Sequence, residues 1–139
     1  MSSDAENNIR NLLSRYSQIL DERDLDEWSK LFTADATLEM LLSRVPGQSD
    51  TTHVGREAIK AAMSFPRPPG RVGMHVVLNS IIEVSGDRGT ASSDFIFFCQ
   101  EGPEPPVILL RAGRFSDVLV EQEGKWLFQH RTIKVTMSG

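Results

Sequence analysis

Cysteine, histidine and charge of a single sign are scarce in this chain, and each scarcity removes a class of function. The 139 residues hold one cysteine, Cys99, so no internal disulfide can form. The three histidines, His53, His75 and His130, stand at no metal-ligand spacing from one another, which argues against a zinc site. Fifteen Lys and Arg against nineteen Asp and Glu give a formal net charge of −4, with no block of like charge. A weakly acidic chain of this kind is not expected to take nucleic acid as a partner. No run approaches the roughly 18 apolar residues of a membrane span. The start, Met1-Ser2-Ser3-Asp4-Ala5-Glu6, lacks the basic and apolar regions of a signal peptide, so the expected location is the cytoplasm. There is no Gly-rich phosphate loop, no Gly-x-Ser-x-Gly elbow and no dinucleotide fingerprint. Any catalysis is expected to use plain side chains, with no metal and no cofactor.

What is there suits one domain over residues 1–139, which at 15.5 kDa should bury roughly two-thirds of its unfolded surface. Ile9, Leu12, Leu13, Tyr16, Ile19 and Leu20 recur at steps of three and four, predicting an amphipathic first helix. Ser3-x-x-Glu6 forms a capping box at its start. A second helix begins near Asp24 or Asp26 and presents Leu25, Trp28, Leu31 and Phe32. Ala36 to Met40 alternates as a first strand, and Pro46 to His53 reads as a surface loop. A third helix runs from about Gly55 to Phe65 and stops before Pro66. Arg67-Pro68-Pro69-Gly70-Arg71 is a loop suited to cover a pocket mouth. Beyond it, the segments Met74–Val84 and Thr90–Gln100 flank a Gly-containing turn, as do Val107–Val120 and Trp126–Met137, so two hairpins follow. Three helices on the inner face of a curved antiparallel sheet make an α+β layout with a concavity for a ligand.

Within that layout His75 opens a strand among the apolar Met74, Val76, Val77 and Leu78, where an imidazole held by a carboxylate could act as a general acid or base. The plain alternative is a strand-end histidine satisfying a carbonyl. Asp21 ends the first helix, about 140° from the centre of its apolar stripe, so it turns inward only if the helix ends or bends near Leu20. Tyr16, the one tyrosine, lies inside the stripe as either a core residue or a donor projecting into a pocket. Alternation puts Asn79 on the same face as His75 and Val77. Glu39, Asp94, Arg111, Arg114 and Asp117 sit among apolar neighbours and read as edge or oligomer ion pairs. His53 and His130 read as surface residues.

Taken in order, Tyr16-x-x-x-x-Asp21, the run Asp24-Leu25-Asp26-Glu27-Trp28 through Asp35, Met74-His75 and Gly124-Lys125-Trp126 resemble the SnoaL-like branch of the NTF2-like superfamily, across nearly the whole chain. The resemblance is strongest, in functional residues, to scytalone dehydratase and the bile-acid dehydratase. It implies a cone in which a bent sheet wraps the helices, with Asp21 turned inward to orient His75 and with Tyr16 in the pocket. The helper residue of those enzymes would fall near Cys99 and Gln100, which makes Cys99, with Asn79, a candidate substrate contact. The serine and asparagine of scytalone dehydratase would fall near Gly113 and Phe115. The implied function is a cofactor-independent dehydratase acting on a cyclic or polycyclic hydroxy-ketone. An isomerase or aldol-type cyclase is the enzymatic alternative. A non-catalytic module like the β subunit of a ring-hydroxylating dioxygenase is the alternative from another class. A small-molecule substrate and a homo-oligomer, dimer or trimer, are the expected partners.

Overall fold

The computed structural model describes residues 2–139, and of Ser2 and Ser3 the backbone alone, so the capping box at Ser3 lies outside the described side chains. Helix α1 spans Ser2–Asp21 and buries Ile9, Leu12, Leu13, Tyr16 and Leu20, the stripe expected from its periodicity. It ends in a Schellman motif: Asp24 N–H donates to Ile19 O at 3.3 Å and Arg23 N–H to Leu20 O at 3.0 Å. Arg23 takes the left-handed conformation, φ 62°, that glycine usually supplies there. Helix α2, Leu25–Ser29, is capped by the Asp24 carboxylate, which accepts from Glu27 N–H.

Leu31 and Phe32, which the Trp28–Phe32 spacing assigned to that helix, lie outside it. Leu31 O accepts from Phe128 N–H at 2.9 Å, which draws the chain into the sheet, and strand β1 runs Phe32–Leu41. The segment read as a loop also closes into structure: Thr51–Val54, rich in β-branched residues, forms a short edge strand β2 against β1. Helix α3, Arg56–Ala62, stops short of Phe65, and the carbonyls of Met63 and Phe65 accept from the Arg23 guanidinium.

Strands β3 (Val72–Ser85), β4 (Arg88–Gln100), β5 (Ile108–Gln122) and β6 (Lys125–Ser138) pair antiparallel in sequence. The sheet order is β2-β1-β6-β5-β4-β3, and the β1–β6 pair is parallel, so the sheet is mixed where an antiparallel one was expected. The class remains α+β, with the helices on the concave face of a curved, unclosed sheet. A β-bulge interrupts β3: Leu78 opposes Asp94, while the next pair is Ile81 with Ser92. One extra residue exchanges the faces of everything beyond it. His75 and Val77 point to the concave side, whereas Asn79, φ 56°, turns out and donates to Asp94 Oδ2 at 2.9 Å.

The core around Tyr16 is aromatic. Tyr16 packs edge-on against Phe32, Phe115 and Phe128 and tilted against Trp28, with ring centroids 5.5–6.2 Å away. Each such pair adds about 0.5–1.5 kcal/mol beyond area burial, which fixes the phenol rigidly. Beneath them Arg131 and Asp117 form a fully buried pair, Nε to Oδ1 2.7 Å and Nη2 to Oδ2 3.1 Å. Asp117 is therefore a core residue and not the interface charge its neighbours suggested.

Candidate active site

The Schellman turn decides where the Asp21 carboxylate goes. The helix stops at Asp21, and β3 crosses its end with His75. Asp21 Oδ2 accepts from the His75 backbone N–H at 2.9 Å, and Oδ1 lies 2.6 Å from His75 Nδ1. Both side chains are about one-fifth exposed, at 18% and 21%. A carboxylate can only accept, so Nδ1 carries a hydrogen, and Nε2 is the nitrogen that faces away from Asp21 and can take or give the second proton. The imidazole also rests 4.4 Å from the Phe97 ring, tilted by 38°. Two bonds from Asp21 and one aromatic face set its orientation. A Cβ at Gly73 would stand 2.5 Å from Phe97 Cζ, so the glycine makes room for that ring.

The pair opens onto a cavity of about 200 Å³ bounded by α1, the segment from Met63 to Arg71, and the concave faces of β3, β4, β5 and β6. Tyr16 shares the lining, with apolar walls from Phe95, Phe97, Phe115, Ile133 and Val135. Burial pushes the Tyr16 phenol above its ordinary 10.0, outweighing the lowering effect of Arg131, whose guanidinium lies 4.1 Å from the ring centre. The phenol is thus held protonated, as a donor. Asp21, His75 and Tyr16 are brought together.

Asn79 and Cys99 are not. The bulge puts Asn79 outside, and Cys99 is buried in β4 away from the lining. Where the resemblance placed a serine and asparagine, Gly113 and Phe115 stand, and Phe115 makes an apolar wall. A second carboxylate–imidazole pair, Glu39 with His130 at 2.7 Å, does not line the cavity. Among the described residues no group of three or more His, Cys, Asp or Glu side chains converges as a metal site would need.

Among the described residues four arginines line the cavity, Arg23, Arg67, Arg71 and Arg111, with Asp21 the single lining carboxylate. Sequence reasoning missed them as site residues. Arg23 holds the Met63 and Phe65 carbonyls, Arg67 donates to Asp21 O at 3.4 Å, and Arg71 forks onto the Glu101 carboxylate. Together they strap the mouth segment to α1 and to the β4–β5 loop. Arg111 differs: its Nε is buried and meets no acceptor among the described residues. An unsatisfied buried donor costs about 1–3 kcal/mol, and more when it is charged.

Three helices on a curved, unclosed mixed sheet, with a histidine–carboxylate pair lining a cavity between them, make an α+β protein of NTF2-like, cystatin-like fold. The chain belongs to the SnoaL-like domain family, whose pattern matches residues 1–132. No curated protein matches the sequence itself. Similar solved structures include a proposed scytalone dehydratase from Novosphingobium aromaticivorans, 23% identical, covering 99% of this chain and 88% of that one at a TM-score of 0.78. The β subunit of a proposed aromatic-ring-hydroxylating dioxygenase from the same organism is 17% identical, with 99% and 93% covered at 0.81. ActVI-ORFA from Streptomyces coelicolor is 18% identical, with 96% and 98% covered at 0.82. At these identities the likeness establishes the fold. No helix of the described residues is long and apolar enough to cross a membrane.

Proposed function

We propose that the protein is a cofactor-independent lyase that removes water from a cyclic hydroxy-ketone. The observation that carries this reading is the two-point seating of His75 on Asp21 at the cavity, 2.6 Å and 2.9 Å. His75 Nε2 takes the proton α to the substrate carbonyl, and the C–H electron pair moves into an enolate. Tyr16 donates to the enolate oxygen, where a fixed donor in a dry site lowers the barrier most. The enolate then collapses, the carbon–oxygen bond at the β position breaks, and the proton on Nε2 leaves with the hydroxyl as water. Asp21 holds the imidazole and balances its transient charge. At about 200 Å³ the cavity is smaller than the roughly 300–1,000 Å³ of drug-sized sites, which favours one or two rings over a larger polycycle.

The same abstraction would serve an isomerase or an aldol-type cyclase, which differ in what the carbanion does next. The assembly-module alternative expects the pair out of reach or the pocket filled, and neither description suits a 2.6 Å contact beside an open cavity. The test is incubation with a panel of cyclic β-hydroxy-ketones, read by mass spectrometry. The expected result is loss of one water from some members with the native protein and from none with His75→Gln. Water loss that is unaffected by His75→Gln would sink the mechanism.

A further inference from the structure

The cavity carries a charge the reaction does not use. The chain has a net charge of −4, yet four guanidinium groups and one carboxylate line this cavity, and that carboxylate is already committed to His75. Three of the four arginines are occupied by carbonyls or by Glu101, whereas Arg111 Nε is buried with no acceptor. Among the described residues, Ser17, Trp28, Arg111, Trp126 and Arg131 each hold a buried polar side-chain atom without a partner, and of these Arg111 is the one that lines the cavity, which points to a partner that arrives with the ligand.

The sheet register shows where that partner would sit. His75 opposes Phe97 on β4, and Phe97 opposes Arg111 on β5, so the three side chains stand in one row on the concave face. Two strand spacings put the His75 and Arg111 backbones about 10 Å apart, with the Phe97 ring between them. A flat ring lying over Phe97 would meet the base at one end and the guanidinium at the other.

We propose that Arg111 anchors a carboxylate on the ligand, so that the preferred substrate is a small cyclic keto acid and not a neutral ketone. This deepens the lyase reading and rests on it for the reacting group, but not for the anchor. A guanidinium offers a carboxylate two parallel N–H donors, one of them Nε, and charge-assisted pairs of this kind are the strong ones.

The test is binding, measured by titration calorimetry with 3-oxocyclohexane-1-carboxylate and its neutral carboxamide. The native protein should bind the carboxylate at least about tenfold more tightly, as a charged hydrogen bond would provide. Arg111→Gln should erase that preference, and Arg111→Lys should restore it in part. A carboxylate that the native protein binds no more tightly than its amide overturns the proposal without requiring any variant to fold. So does a preference that survives in Arg111→Gln. Because no turnover is read, a carboxylate preference in a protein that dehydrates nothing would keep the anchor and end the lyase reading. Dehydration of neutral and acidic substrates with equal KM would do the reverse.

Discussion

Replacing Asp21 by asparagine keeps the shape of the side chain and removes one of its two acceptors. The native carboxylate accepts from His75 N–H at 2.9 Å and from Nδ1–H at 2.6 Å. An amide has one oxygen, so its NH2 must face one of those two donors. If the oxygen keeps the backbone N–H, the NH2 faces Nδ1, which must become an acceptor, and the ring proton moves to Nε2. The base is then in the wrong tautomer. If the oxygen keeps Nδ1–H, the amide NH2 opposes the backbone N–H and the seat opens. Either way the contribution of a positioned base, about 10²–10⁴ in rate, is what the variant loses, equivalent to roughly 3–5 kcal/mol of barrier. The assay is kcat and KM on the identified substrate, with the tautomer read from the ring nitrogens by NMR and the fold checked by circular dichroism. The expected outcome is a fall in kcat of at least about a hundredfold with KM little changed. Native kcat with the hydrogen still on Nδ1 would refute the reasoning.

Other consequences follow from the same structure. Arg131→Met should lower stability by about 3–5 kcal/mol, because Asp117 is left buried without its partner, and Asp117→Leu with Arg131→Met should recover most of it in urea titrations. Gly73→Ala should displace the Phe97 ring and, with it, the wall beside His75, reducing kcat while the thermal transition moves little. Hydrogen bonding from Arg71 holds the Glu101 carboxyl below its ordinary 4.5. A depressed carboxyl adds stability that is present above the unfolded value and lost as pH falls through the folded one. The Tm difference between native protein and Glu101→Gln should therefore be present at neutral pH and shrink progressively as the pH falls below 4.5.

Periodicity made α1, the two hairpins and the α+β class legible, since an apolar stripe or an alternation reports directly which face is covered. It could not place Asp21, because helical angle has meaning only while the helix continues, and here a Schellman turn with a left-handed arginine ends it. The family resemblance supplied that inward turn, and the 2.6 Å contact with His75 accords with it. Asn79 was misplaced for a related reason: alternation carries across a strand only without a bulge, and nothing in Leu78-Asn79-Ser80-Ile81 marks one clearly. The charges on β5 were ambiguous in a third way. An arginine or aspartate between apolar residues reads alike at a subunit contact, in a core pair or on a cavity wall, and Arg114, Asp117 and Arg111 separate only once the sheet curves.

The central claim is that His75, seated on Asp21, removes a proton next to a ketone, whatever bond change follows. Solvent deuterium exchange tests it most directly, because it reads the proton transfer before dehydration, isomerisation or cyclisation diverge. In D2O, with 3-oxocyclohexane-1-carboxylate followed by proton NMR, the native protein should speed loss of the α-hydrogen signals, and His75→Gln should exchange no faster than buffer. Equal exchange with the native protein and His75→Gln, both above buffer, would contradict the account.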